Sequence, residues 1–108
     1  MYNNYYVAID FDGTLVEHQY PAIGDIKKST IELLLNKKKE LNELGLELVV
    51  IIWTCRGNDD LRAAREWCEQ NMPISIAPKY YNENPEVMME SPKIFANEYW
   101  DDRALKII

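Results

Sequence analysis

The sequence predicts an α/β fold of the three-layer, Rossmann-like type with a mostly parallel sheet. Two observations predict it: apolar runs typical of buried strands alternate with amphipathic helical patterns, and polar clusters follow the predicted strands where they end. Strands joined through helices run parallel by right-handed crossovers, so their carboxyl ends meet at one edge of the sheet. With 108 residues, the chain is expected to form a single domain, 1–108.

The first half of the chain supplies a strand and a helix. Residues 5–9 are aromatic and β-branched and predict a buried strand, which ends in the turn-forming sequence Asp-Phe-Asp-Gly at residues 10–13. Ser29 and Glu32 have the spacing of a capping box, and Gly45 marks the end of the helix that follows. The apolar residues of this helix recur at helical spacing: Ile31, Leu34, Leu35, Leu41 and Leu44.

The second half continues the alternation. Residues 46–53 are apolar except for Glu47, which suits a strand covered on both faces. Asn58, Asp59 and Asp60 favour the start of a second helix that ends before Pro73. The remaining predicted elements are a third strand over residues 74–77, a loop over 78–92, a helical turn over 93–96, a fourth strand over 98–100 and a short fifth strand over 105–108.

The composition narrows the classes of function. Lys and Arg number 12 against 18 Asp and Glu, so the net charge of −6 argues against duplex nucleic acid as a partner. The chain lacks a signal-peptide pattern and an apolar run of the roughly 20 residues that cross a bilayer, so we expect no membrane partner and a cytoplasmic location. Cys55 and Cys68 match neither a redox pair nor zinc-ligand spacing, and are expected to be reduced thiols.

Acidic residues cluster where the predicted strands end. Asp10 and Asp12 follow the first strand, Thr54 follows the second, and Asp101 and Asp102 follow the fourth. Ligands bind parallel α/β sheets at this edge. Four carboxylates brought together there repel one another unless a cation lies between them, and Mg²⁺ prefers oxygen ligands. The sequence therefore predicts a magnesium site at the carboxyl edge of the sheet.

The pair Asp10 and Asp12 suits a nucleophile beside a general acid/base. An aspartate can attack phosphorus to give an aspartyl-phosphate, and the leaving oxygen then needs a proton from a neighbouring carboxyl group. Taken alone, an Asp-x-Asp sequence is more typical of a turn or a helix cap. The joint placement of the polar residues at several strand ends favours the catalytic interpretation.

Other residues are candidates for binding an anionic substrate. The hydroxyl of Thr54, the backbone around Gly13 and the charge of Lys93 are expected to bind the phosphoryl group. Arg56 and Arg103 are candidates for contacting other parts of the substrate.

Some residues remain open to a structural explanation. His18 is expected to be a surface or loop-packing residue. Tyr20, Tyr80 and Tyr81 lie in predicted loops, where they either pack the loops or stack on a base or a sugar.

With these residues in place, the chain resembles the haloacid dehalogenase superfamily of magnesium-dependent phosphohydrolases over nearly its whole length. Residues 9–15, Ile-Asp-Phe-Asp-Gly-Thr-Leu, are similar to the first motif of that superfamily. Thr54 matches the second motif, Lys93 the third, and Asp101 with Asp102 the acidic fourth. Lys93 lies only eight residues before Asp101, a short spacing that resembles the deoxyribonucleotidase-like branches.

The resemblance implies a role for each matched residue. Asp10 is implied as the nucleophile and Asp12 as the general acid/base, with Thr54 and Lys93 binding the phosphoryl group. The implied magnesium ligands are Asp10, the backbone carbonyl of Asp12, Asp101 and Asp102.

The superfamily often covers its site with a cap domain, for which this chain has little room. About 15 residues separate Thr14 from Ser29, and the predicted loop 78–92 is equally short, so we expect a capless core with an open site. Either a second subunit of a homo-oligomer or a large phosphorylated substrate would then cover that site.

The sequence thus predicts a magnesium-dependent phosphomonoester hydrolase that acts through an aspartyl-phosphate, with a nucleotidase as a narrower form. One alternative is a regulatory protein that binds magnesium and phosphate without turnover. Another is a receiver-like signalling domain, which is disfavoured because such domains place their acids on different strand ends, whereas Asp10 and Asp12 share one.

Overall fold

The computed structural model describes residues 3–83, 96–101 and 105–107, and it confirms the predicted α/β, Rossmann-like fold class. Five strands and two α-helices are described, with a short 3₁₀ helix between the second α-helix and the third strand. In chain order the elements are β1 (Asn4–Ile9), α1 (Lys28–Glu43), β2 (Glu47–Thr54), α2 (Asn58–Asn71), the 3₁₀ helix (Ile74–Ile76), β3 (Tyr80–Glu83), β4 (Glu98–Trp100) and β5 (Leu105–Ile107).

The strands form one sheet in the order β3-β2-β1-β4-β5. The first four of these strands are parallel, and β5 runs antiparallel to β4. Ile9, the last residue of the central strand β1, pairs with Ile52 of β2 and with Trp100 of β4. The three strands therefore end close together, which brings the residues that follow them to one edge of the sheet.

Both described helices pack on the same face of the sheet. The connections from β1 to β2 and from β2 to β3 move in the same direction across the sheet, and right-handed crossovers in one direction place their helices on one side. This arrangement produces the main core, in which strand residues meet apolar residues of α1 and α2. Its members include Val7, Ile9, Val50, Ile52, Leu34, Leu41, Ala64 and Cys68.

The opposite face of the sheet carries a smaller core. Ala8, Ile51 and Tyr99 are buried there with Ala96, and the rings of Trp53 and Tyr99 meet edge to face at 5.5 Å between centroids. The step from β3 to β4 reverses direction across the sheet. Residues 84–95 of that connection, with most of the helical turn predicted over 93–96, lie outside the described residues.

The third strand was placed wrongly by the sequence. Residues 74–77 were expected to form it, but Ile74–Ile76 is a 3₁₀ helix in which Ile74 is 94% exposed and Ile76 is buried. The strand is Tyr80–Glu83, inside the predicted loop 78–92. It lies at an edge of the sheet, where polar residues are common and conceal a strand from hydrophobic patterning.

The helix caps also differ from the prediction. Ser29 lies inside α1, and neither Lys27 nor Gly57, the residues before the two α-helices, makes a side-chain cap hydrogen bond. Gly45 ends α1 with φ of +75°, as its sequence position predicted. Leu44, expected in the apolar face of α1, is exposed.

The β1–α1 loop, residues 10–27, contains no inserted domain. It is held by single β-bridges that join Val16 to Asp12 and to Ile26. Across the ranges that the structure describes, no helix is both long enough and apolar enough to cross a bilayer. Cys55 is exposed, Cys68 is buried, and both are free thiols.

Candidate functional site

An open cleft of about 440 Å³ lies at the carboxyl edge of the sheet. The ends of β1 and β2 and the β1–α1 loop form its walls, which is where parallel α/β sheets bind their ligands. The residues that line it are Asp10, Asp12, His18, Tyr20, Thr54, Cys55 and Arg56. The structure therefore brings four of the predicted site residues, Asp10, Asp12, Thr54 and Arg56, into one cleft.

Asp10 and Asp101 occupy equivalent positions after adjacent strands. The backbone N–H of Asp10 donates to the carbonyl of Trp100 at 2.9 Å, which ties the end of β1 to the end of β4. Both aspartates are partly buried. Asp101 follows Trp100 directly, so its predicted position beside Asp10 at the sheet edge is confirmed by the strand pairing.

The turn after β1 separates Asp10 from Asp12 by a residue of the core. Phe11 is fully buried between them, and its carbonyl accepts from the N–H groups of Leu15 and Val16 at 3.1 and 3.2 Å. Because Phe11 is anchored inward, the two aspartates on either side of it remain at the cleft. The apolar residue within the Asp-x-Asp sequence is thus what directs both carboxylates to the same region.

Gly13, predicted to help bind the phosphoryl group, has both of its backbone polar groups hydrogen-bonded within the protein. Its N–H donates to the carbonyl of Val16 at 2.8 Å, and its own carbonyl accepts from Lys27 Nζ at 2.9 Å. Its φ of +92° explains why glycine occupies this position, since side chains rarely adopt that backbone conformation. Gly13 therefore shapes the turn. Lys27 is a nearby cation that the sequence did not indicate.

Thr54 ends β2 and is 2% exposed. Its hydroxyl oxygen accepts a hydrogen bond from the backbone N–H of Arg56 at 3.1 Å. A hydroxyl has one hydrogen to donate besides the lone pairs that accept, so this bond orients the oxygen and leaves the donor for a ligand. This arrangement fits the phosphate-binding role predicted for Thr54.

Arg56 and Asp12 form a bidentate ion pair that the sequence did not indicate. Nε of Arg56 donates to Oδ2 of Asp12 at 2.7 Å, and Nη2 donates to Oδ1 at 2.8 Å. The side chains are 1% and 13% exposed, so solvent screens the pair weakly. The cation expected to offset the clustered carboxylates is thus, for Asp12, a guanidinium group.

Arg56 is also bound to the β1–α1 loop. Nη1 donates to the carbonyl of Pro21 at 3.2 Å, and Nη2 donates to that of Ala22 at 2.9 Å. The hydrogen bonds to Asp12 are the largest cause that raises the pKa of Arg56 above its ordinary value. All three guanidinium nitrogens donate to groups of the protein itself, while the residue also lines the cleft where a substrate contact was predicted.

Two aromatic rings flank the guanidinium group. Its central carbon lies 5.2 Å from the ring centroid of Phe11 and 4.9 Å from that of Tyr20. The Tyr20 hydroxyl donates to Asp60 Oδ2 at 2.9 Å, and this hydrogen bond raises the pKa of Tyr20. Tyr20 thus contacts Arg56 at the cleft and is tied to α2.

The other loop aromatics and His18 have different positions. His18 is exposed and lines the cleft, whereas the sequence had favoured a surface or loop-packing position for it. Tyr81 packs against α2, with its ring centroid 5.4 Å from the guanidinium carbon of Arg65. One sequence signal could have indicated that His18 lies at the site. It is only eight residues after Asp10, in the loop that leaves the first strand.

Three predicted site residues, Lys93, Asp102 and Arg103, lie outside the described residues. Within the described ranges, no group of three or more His, Cys, Asp or Glu side chains is placed to hold a metal ion. Of the ligands that the sequence predicted, the described residues include Asp10, Asp12 and Asp101. Their hard-oxygen chemistry suits Mg²⁺, which commonly takes one or two carboxylates together with water and substrate phosphate.

Fold and site together define an α/β protein of the Rossmann-like type with an acidic cleft at the carboxyl edge of its sheet. The chain is similar to a solved structure described as a conserved protein coded by a locus of Bacteroides thetaiotaomicron. The two are 34% identical with a TM-score of 0.62, and the match covers 92% of this chain and 76% of the other. The chain belongs to the same family as this conserved Bacteroides protein. No protein-family model and no curated protein matches the chain.

Proposed function

We propose that the protein is a phosphomonoester hydrolase of the haloacid dehalogenase type, with Asp10 as nucleophile and Asp12 as general acid/base. The observation that carries the proposal is the turn after β1, in which the buried Phe11 leaves both aspartates at one cleft beside the hydroxyl of Thr54. Nucleophile, proton donor and phosphate-binding hydroxyl are the groups that this reaction requires.

The reaction proceeds in two displacements at phosphorus. In the first, a carboxylate oxygen of Asp10 attacks the phosphorus atom and the bond to the leaving oxygen breaks. Asp12, which has taken up a proton from water after one of its oxygens left Arg56, gives that proton to the leaving oxygen. In the second, water attacks the aspartyl-phosphate, Asp12 takes the proton of the water, and the bond between Asp10 and phosphorus breaks. Inorganic phosphate leaves, and both aspartates return to their starting states.

The charge of the phosphoryl group needs partners at the cleft. Thr54 is placed to donate its hydroxyl hydrogen to a phosphoryl oxygen. Lys93 remains a proposed second partner. Magnesium would be held by Asp10, the carbonyl of Asp12 and Asp101, with Asp102 as a further proposed ligand, and when bound it neutralises negative charge on the phosphoryl oxygens.

The open cleft bears on the substrate. A site bordered by the exposed side chains of His18 and Tyr20 offers little cover to a small phosphate ester. We therefore propose either a larger phosphorylated substrate, such as a nucleotide whose base contacts Tyr20, or a second copy of the chain that covers the cleft.

One observation favours an alternative, a protein that binds phosphate and magnesium without turnover. Both carboxylate oxygens of Asp12 are engaged by Arg56, so the proposed acid must exchange one of these bonds before it meets a leaving group. A protein in which that exchange does not occur would bind the phosphate mimic beryllofluoride and hydrolyse nothing.

The test is phosphate release from an aryl phosphate and from a panel of phosphorylated metabolites and nucleotides, with magnesium and with a chelator. Asp10→Asn serves as the blank, after its melting temperature shows that it is folded. We expect magnesium-dependent release by the wild type and a loss of more than about a thousandfold in Asp10→Asn. Binding of beryllofluoride without release from any ester would establish the alternative.

A further inference from the structure

We propose that Arg56 is a positioning residue for Asp12, and that proton transfer to the leaving group depends on the bidentate hydrogen bonding of Arg56 to the Asp12 carboxyl group. The inference rests on the proposed function, because it assigns the partner of the proposed acid. The sequence suggested that Arg56 contacts substrate, whereas the contacts made by its side chain lead to Asp12 and to the β1–α1 loop.

The geometry of the pair fixes the carboxyl plane of Asp12. Two parallel N–H bonds, from Nε and Nη2, meet the two oxygens at 2.7 and 2.8 Å. Such a fork constrains direction as well as distance, whereas a lysine ammonium acts as a point charge. When one oxygen turns to the leaving group, the bond to the other keeps the carboxyl group oriented.

The guanidinium group is itself held in place. Phe11 and Tyr20 contact its faces, and the carbonyls of Pro21 and Ala22 accept from its outer nitrogens. Arg56 is 2% exposed, so these contacts replace water around the charge. The β1–α1 loop therefore determines where Arg56 lies, and Arg56 determines where the carboxyl group of Asp12 lies.

Arg56 also connects the two halves of the proposed chemistry. Its backbone N–H orients the hydroxyl of Thr54 at 3.1 Å, while its side chain orients Asp12. A single residue after β2 thus places the phosphate-binding group and the proton donor relative to each other. The backbone bond persists in any substitution except proline, so side-chain variants isolate the effect on Asp12.

The experiment compares two substrates that differ in their need for a proton. An aryl phosphate has a good leaving group and needs little proton donation, whereas an alkyl phosphate depends on the general acid. Kinetic constants are measured for the wild type, Arg56→Lys, Asp12→Asn and the double variant. Arg62→Lys is the matched control, because Arg62 is 70% exposed on α2 and pairs with Asp59 at the surface.

We expect Arg56→Lys to lower kcat/KM, which reports the steps up to the aspartyl-phosphate, by about 10- to 100-fold for the alkyl phosphate and by less than about 5-fold for the aryl phosphate. Asp12→Asn should show the same selectivity more strongly, and the double variant should be no slower than Asp12→Asn alone. Arg62→Lys should match the wild type. Equal losses of kcat/KM on both substrates would overturn the positioning role in favour of substrate binding.

Tyr20→Leu covers the case in which Arg56→Lys does not fold. It removes one ring from the guanidinium group at a half-exposed position, together with the hydrogen bond from Tyr20 to Asp60, but it removes no hydrogen-bond partner of Arg56. A loss of a few fold confined to the alkyl phosphate supports the proposal, and an equal loss on both substrates contradicts it. If the wild type releases no more phosphate than Asp10→Asn, the proposed function fails. If the wild type is active and the variants show no selectivity, only the role of Arg56 fails.

Discussion

Replacing Glu98 with glutamine should destabilise the fold by about 1–3 kcal/mol. Glu98 is 3% exposed in β4, and its Oε2 accepts from the hydroxyl of Tyr5 at 2.6 Å and pairs with Lys37 Nζ at 2.9 Å. Its Oε1 accepts from Trp100 Nε1 at 2.9 Å. Hydrogen bonds to a charged group are worth about 1.5–3 kcal/mol each, which sets the scale of the loss.

Glutamine retains part of this network, so the loss is less than the sum of the bonds. Its carbonyl can accept from Trp100, and its amide can donate to the hydroxyl of Tyr5. The side chain of Lys37 is 23% exposed and can turn to water. Glu98→Leu offers no acceptor at all and leaves the buried indole N–H of Trp100 without its partner, so we expect a larger loss of about 3–5 kcal/mol.

The assay is urea unfolding followed by tryptophan fluorescence, with Glu47→Gln as the matched control. Glu47 in β2 pairs with Lys79 at 3.4 Å, and both side chains are more than half exposed. An exposed pair of this kind contributes under about 1 kcal/mol. Equal losses in Glu98→Gln and Glu47→Gln would refute the reasoning that burial of the network gives it its strength.

The difference in stability between the wild type and Glu98→Gln should depend on pH. Burial opposes the charge of Glu98, but the hydrogen bonds from Tyr5, Trp100 and Lys37 outweigh it, so the pKa of Glu98 lies below its ordinary value. A lowered pKa in the folded state adds stability that is present above the ordinary glutamate value of about 4.3 and is lost as the pH falls through the folded value. The gap between wild type and Glu98→Gln should therefore narrow in acid, and a gap that is constant from pH 7 to pH 3 would contradict this assignment.

Two further predictions concern glycine and cysteine positions. Gly24→Ala should destabilise more than Gly45→Ala in urea unfolding, because a Cβ at Gly24 would overlap the carbonyl oxygen of Glu17. At Gly45 a Cβ meets nothing and costs about 1 kcal/mol for φ of +75°. Similar losses in the two variants would contradict this prediction. A thiol reagent should modify Cys55 in the native protein and Cys68 only after unfolding, because burial raises the pKa of the Cys68 thiol to about 12; rapid native modification of both in peptide mass spectra would contradict it.

The elements that sequence patterning predicted well are those with a continuous apolar signal. The strands β1 and β2 follow from local residue types, and from β1 the placement of Asp10 and Asp12 at the sheet edge follows in turn. Strand β3 was missed, because an edge strand needs few apolar residues to form.

The part of the site that could not be predicted depends on contacts between distant segments. Arg56 and Asp12 are 44 positions apart, and nothing in either local sequence indicates that they form an ion pair. The same holds for Tyr20 and Asp60, which are 40 positions apart. Residue type and strand register place candidates at an edge of the sheet, but the pairing of their side chains follows from loop packing.

The most direct test of the central claim is chemical trapping of the aspartyl-phosphate. Protein quenched during turnover of an aryl phosphate with magnesium is treated with borohydride, which reduces an acyl phosphate to an alcohol, and its peptides are analysed by mass spectrometry. The account predicts homoserine in place of Asp10, only in samples that contain substrate. Phosphate release that leaves Asp10 unmodified and continues at the wild-type rate in Asp10→Asn would contradict it.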